Sequence, residues 1–183
     1  MALRSNKIIS VSHTRLGTVL CLAYCIAGTQ WCFGSCDGDC LHGKGSLIYP
    51  NQDEYVGTFE NGLKHGSGTY IHANGSRYTG QFEEGLKHGL GSLSFPDGTS
   101  YEGEFENGLK HGRGTMMFAN GDKYVGDWRL NLREGEGTAQ YFGGAEYSGE
   151  WKNGKKHGKG TMVFSGGRTE SGVWDSGKYM GAQ

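Results

Sequence analysis

Tyr101-Glu102-Gly103-Glu104-Phe105-Glu106-Asn107-Gly108-Leu109-Lys110-His111-Gly112-Arg113-Gly114 decides the fold of this chain. Tyr101, Gly103 and Phe105 alternate with Glu102, Glu104 and Glu106. That period of two is the pattern of a strand with one covered and one wet face. Asn107-Gly108 follows, a dipeptide that suits the positive φ angles of a type I′ hairpin turn. Beyond it, Gly112, Gly114, Met116 and Phe118 fall on one side of a second strand, and Asn120-Gly121 closes the unit. The stretch predicts one β-hairpin.

The same phrase starts at Tyr55, Tyr78, Tyr101, Tyr124 and Tyr147, five units of 23 residues without insertion or deletion. A fixed period of this kind predicts a stack of repeats, with atypical units at its ends. Counting back from Tyr55 gives a degenerate unit at 32–54, in which Cys32 and Cys36 replace the aromatics and Asp39 the turn glycine. Counting forward gives full units at 55–77, 78–100, 101–123, 124–146 and 147–169 and a partial cap at 170–183, which is expected to end before a second strand forms. The fold class expected is all-β, a single elongated twisted antiparallel sheet of tandem hairpins. With strands about 4.8 Å apart, five to six units make a ribbon on the order of 50–60 Å long. Residues 1–31 resemble nothing in the array and are expected to be a short irregular or helical extension.

Charge divides the chain at the same boundary. Arg4, Lys7 and Arg15 are the only charged residues before Cys32, which leaves 15 basic against 19 acidic residues in the array. An acidic array is a poor generic ligand for nucleic acid. All five cysteines lie between Cys21 and Cys40, whereas a disulfide-built secreted protein usually spreads them through the fold. A reducing compartment is therefore expected, and no metal, since the spacing matches no familiar zinc pair. The apolar stretch Leu16–Ala27 is too short to span a bilayer but fits the core of a signal segment. Acylation of Cys21, Cys25 or Cys32 would make it an anchor instead. The expected location is cytoplasmic, associated with membrane or cytoskeleton, with secretion as the alternative.

The recurring phrase Tyr-x-Gly-x-aromatic-x-x-Gly-x-x-His-Gly-x-Gly resembles the MORN repeat, named for membrane occupation and recognition nexus. Tyr101–Gly114 follows it throughout, and the resemblance covers residues 32–183. It implies stacked hairpins and non-catalytic work as a scaffold or membrane-apposing module. The unit at Tyr124 departs from the pattern: Asn131 stands for the turn glycine and Glu134 for the histidine. That unit is expected to be a bend or a specific contact point.

Three columns carry the functional candidates. The rings Tyr55, Phe59, Tyr78, Phe82, Tyr101, Phe105, Tyr124, Trp128, Tyr147 and Trp151 are expected to pack the sheet and, where left open, to line a partner-binding groove. A one-layer sheet cannot cover both faces, so the groove would suit an extended peptide or an amphipathic helix. Lys64, Lys87, Lys110, Arg133 and Lys156 form a basic rail, expected either to meet anionic phospholipid or to pair with Glu60, Glu83 and Glu106. His42, His65, His88, His111 and His157 are read as structural, each bonding its neighbour's turn. No catalytic constellation stands out from the periodic background. The Gly-x-Gly motifs lie within strands rather than at a helix N-terminus, so they cannot cradle phosphate. A non-catalytic scaffold binding a protein partner is expected, with direct phosphoinositide or anionic-lipid binding as the alternative. The open sheet ends suit an end-to-end homodimer.

Overall fold

The computed structural model describes residues 22–23 and 32–182. The expected signal, anchor or helical character of residues 1–31 falls almost wholly outside them. A two-stranded sheet pairs β1 (Leu22–Ala23) with β2 (Cys32–Phe33). Everything else is one open sheet of 14 strands in strict sequence order, all antiparallel.

It begins with β3 (Ser35–Gly38), β4 (Gly43–Ile48), β5 (Glu54–Glu60), β6 (Leu63–Ile71), β7 (Arg77–Glu83) and β8 (Leu86–Ser94). It continues through β9 (Ser100–Glu106), β10 (Leu109–Met117), β11 (Lys123–Arg129) and β12 (Leu132–Gln140). It ends with β13 (Glu146–Lys152), β14 (Lys155–Val163), β15 (Thr169–Asp175) and β16 (Lys178–Gly181).

Each tyrosine explains the glycines around it. A Cβ added to Gly80 would lie 2.5 Å from the Tyr78 hydroxyl, and one on Gly57 would lie 2.7 Å from the Gly68 Cα. The ring lies flat on backbone that carries no side chain, which is why glycine is tolerated inside these strands. Register slips at the same place in each hairpin, between Gly57 and Thr58 in the unit that starts at Tyr55. The slip is a β-bulge, and the tyrosine hydroxyl satisfies a carbonyl beside it. Tyr55 donates to Thr58 O at 2.9 Å, Tyr78 to Gln81 O at 2.9 Å and Tyr101 to Glu104 O at 3.0 Å.

Adjacent hairpins are stapled at their turns. The N–H of each turn residue Gly85, Gly108, Asn131, Gly154 and Gly177 donates to the carbonyl of the basic residue one unit back, at 2.9–3.0 Å. The column at Lys64, Lys87, Lys110, Arg133 and Lys156 thus has a backbone role as well as a charge.

The two ends depart from expectation. The chain does complete a second strand in its last unit: Tyr179 of β16 packs 5.3 Å from Trp174 and donates its hydroxyl to Ser171 O at 2.9 Å. Four residues suffice because one ring closes the spine. At the other end Cys32 pairs with β1, so the large sheet starts at Ser35. A disulfide joins Cys36 and Cys40, whose Cα atoms are 6.4 Å apart. It is a short bridge across the first turn.

Candidate partner-binding face

The ring column is the core of the ribbon. Tyr55, Tyr78, Tyr101, Tyr124 and Tyr147 are fully buried, and Phe59, Phe82, Phe105, Trp128 and Trp151 are 3–5% exposed. Tyr55 meets Phe59 at 5.0 Å and Phe82 of the next unit at 5.1 Å, both edge to face. The zigzag runs unbroken to Trp174. Burial pushes the tyrosine hydroxyls up, to about 12 at Tyr55, Tyr78 and Tyr147. These ten rings are therefore the packed spine of the sheet, the floor of this face rather than its open surface. The rings at its edge are half-buried: Tyr49, Tyr70, Phe118, Tyr141 and Phe164 pack against the core without being enclosed by it.

The basic column lies on that floor. Two-residue turns pair Phe59 with Lys64, Phe82 with Lys87 and Phe105 with Lys110, which puts each cation on the aromatic side. Each then reaches over the ring of the following unit. Lys110 Nζ is 4.4 Å from the Trp128 centroid, Arg133 Cζ 4.0 Å from Trp151 and Lys156 Nζ 4.6 Å from Trp174. Desolvation depresses Lys87, Lys110, Arg133 and Lys156, and Lys110 is lowered further by Arg133 and Lys87 on either side. Among the described residues none of these four forms an ion pair with a carboxylate.

The acidic column takes other partners. Glu60, Glu83 and Glu106 lie 3.1–3.3 Å from His65, His88 and His111 on the opposite face. The expected pairing of this column with the lysines does not form, because hairpin register places the two on different sides. Further carboxylates fold over the bulges: Glu104 accepts Arg113 N–H at 2.9 Å, Asp127 accepts Glu136 N–H at 3.0 Å and Glu150 accepts Lys159 N–H at 2.7 Å. The sheet is thus polarised, with cations over rings on one face and carboxylates concentrated on the other.

A family model for the MORN repeat matches residues 41–54, 55–77, 78–100, 101–123, 124–145 and 147–167. The chain belongs to the MORN-repeat family. No curated protein matches it. Among solved structures, the SAS-4 (dCPAP) TCP domain of Drosophila melanogaster, in complex with a proline-rich motif of Ana2 (dSTIL), aligns at TM-score 0.48 and 16% identity, over 78% of this chain and 79% of that one. The TCP10 domain of Danio rerio CPAP, in complex with a peptide of Danio rerio STIL, aligns at TM-score 0.37 and 13% identity, over 76% and 67%.

MORN repeats generally make a non-catalytic scaffold. Among the described residues no three metal-binding side chains cluster, and no helix is long and apolar enough to cross a membrane. The irregular MORN unit is repaired by its own substitutions. Asn131 Oδ1 accepts Lys110 N–H at 2.8 Å, and Glu134 accepts Asn153 N–H at 2.8 Å. At the position equivalent to Glu134, His42 accepts Asn61 N–H at 3.4 Å, the neighbour's-turn bond expected of every histidine in the column. His65, His88 and His111 instead face glutamates within their own hairpins, and His111 Nδ1 makes no hydrogen bond although Glu106 is 3.1 Å away.

The rim rings were missed by sequence reasoning, yet a signal for them exists. Tyr49, His72, Phe95, Phe118, Tyr141 and Phe164 are spaced by 23 residues, six members of a second ring column.

Proposed function

We propose that the ring-and-cation face is a docking groove for an extended, acidic segment of a protein partner. In this reading the chain is a scaffold in a membrane-proximal or cytoskeletal assembly. The observation that carries it is the state of Lys87, Lys110, Arg133 and Lys156. They lie half-buried on aromatic rings, and among the described residues none forms an ion pair with a carboxylate, although Lys156 feels the charge of Glu170. A cation over a ring gains roughly 0.5–2 kcal/mol, while partial burial of an unpaired charge costs free energy. A carboxylate arriving from outside would complete each pair. The acidic total of the array does not oppose this, because much of that charge sits on the other face.

Geometry sets the spacing of the ligand. Two strands per repeat advance the groove by about 10 Å, close to the roughly 9 Å of one three-residue turn of polyproline II chain, which brings every third side chain back to the same side. Acidic residues at every third position would therefore meet successive cations. Anionic phospholipid offers the same charge, but these cations lie along the sheet against rings, and a flat membrane rewards projecting ones.

Fluorescence anisotropy tests this with a labelled peptide of about 15 residues carrying glutamate at every third position. Its lysine counterpart and vesicles of phosphatidylcholine with phosphatidylserine are the other arms. Saturable, salt-sensitive binding of the glutamate peptide alone, abolished in a Lys87→Glu/Lys110→Glu variant, is expected. Binding to the vesicles with no binding of the glutamate peptide would contradict the reading.

A further inference from the structure

The inner column beside the spine reads Tyr70, Leu93, Met116, Ala139 and Met162 at successive units. Ala139 is the one small side chain in that run. It pairs across the sheet with Tyr124 on one side and Tyr147 on the other. A depression of about 510 Å³ is lined by Phe118, Asp122, Tyr124, Arg133, Ala139 and Tyr141, of which Tyr124 and Ala139 are buried beneath the others. In the next unit the equivalent Met162 contacts Lys156, with Sδ 3.7 Å from Nζ. Alanine cannot cap Arg133 in that way.

We infer that this slot is the anchor site of the groove, taking a bulky aromatic side chain whose neighbouring carboxylate meets Arg133. The inference rests on the docking reading above and names the residue that would set its specificity. Phe118 and Tyr141 are successive members of the rim column, so an entering ring is flanked by rings. The volume lies within the usual range for a ligand-sized site, roughly 300–1,000 Å³, and holds a ring together with its adjacent carboxylate. Asp122 forms no ion pair with Arg133; its carboxylate is held by Phe142 N–H at 2.8 Å and Asn120 Nδ2 at 3.0 Å. Arg133 spends one donor on Gly154 O at 2.7 Å, and a guanidinium carries five.

The test needs no partner. The full chain, carrying ¹³C-methyl alanine and methionine, is titrated with N-acetyl-tryptophan and with N-acetyl-tryptophanamide. Saturable shifts centred on the Ala139 methyl are expected, with the carboxylate form about three- to tenfold tighter than the amide. Ala139→Leu and Ala139→Met place the residues of the neighbouring units in the slot. Both should keep the fold, as read by an unchanged circular dichroism spectrum and melting transition, and lose the shifts at Met116 and Met162. No saturable shift in the parent chain overturns the inference. So does equal affinity in both alanine variants, or equal affinity for acid and amide. Charged-peptide binding that survives in Ala139→Leu would refute the anchor while leaving the groove standing.

Discussion

Arg133 holds its guanidinium carbon 4.0 Å above Trp151, a residue of the following repeat. Lys110 and Lys156 stand in the same relation to Trp128 and Trp174. Each cation bridges two units and is also the charge that the next unit's ring leaves facing outward. Stability and recognition are therefore separable at this column. Replacing Lys110 by methionine keeps the stem over Trp128, loses a cation–π contact of about 1 kcal/mol and relieves a similar desolvation cost. The melting temperature should move by no more than about 2 °C. Affinity for the glutamate peptide should fall several-fold. Parallel thermal melts and anisotropy titrations check both.

The tyrosine–glycine contacts give a graded series. Tyr101→Phe removes the hydroxyl that satisfies Glu104 O, a loss of about 1–3 kcal/mol. Gly114→Ala drives a Cβ to 2.5 Å from the same ring and should cost more, over about 3 kcal/mol. Gly143→Ala meets no atom within 4 Å and its φ is not positive, so it should be neutral or stabilising by up to about 1 kcal/mol. Urea unfolding curves order the three.

The hairpins and the stack were legible because alternation and Asn-Gly turns are local signals. Tyr101, Gly103 and Phe105 share a face in the structure as their spacing required. The side taken by Lys110 was not read, although a two-residue turn after Glu106 already fixes it opposite Phe105. That inference needs cross-strand register rather than spacing along one strand. The slot at Ala139 was harder, since a missing side chain matters only once its neighbours are in place. The Cys36–Cys40 bridge was hidden because clustering of cysteines says nothing about which two face each other.

High pH should unfold the ribbon through its tyrosines. Tyr55, Tyr78 and Tyr147 keep their protons to about 12 in the folded chain against 10.0 unfolded, so their contribution is complete below pH 10 and is lost as pH rises from there. Lys87 and Lys110 act in the opposite sense. Their folded values lie below 10.5, so stability rises with pH up to that point as the buried ammonium groups discharge. A stability maximum near pH 10 is expected. Tyrosinate absorbance should then appear together with loss of the β-sheet circular dichroism signal.

Reducing the Cys36–Cys40 bridge opens a loop of five residues, worth about 2 kcal/mol in the chain-entropy account. Repeat arrays couple only nearest neighbours, so the loss should stay local. Hydrogen exchange should quicken in Ser35–Ile48 and be unchanged from Tyr78 onward.

One face of the sheet, the cation-bearing one, is the face proposed to receive the partner. Two-dimensional NMR of the full chain during titration with the glutamate peptide measures this directly. Shifts are expected at the indole N–H groups of Trp128, Trp151 and Trp174 and at Arg133, with the Thr115 and Thr138 amides on the opposite face unmoved. Shifts concentrated at Thr115, Thr138 and the histidine–glutamate pairs, with the indoles silent, would contradict it.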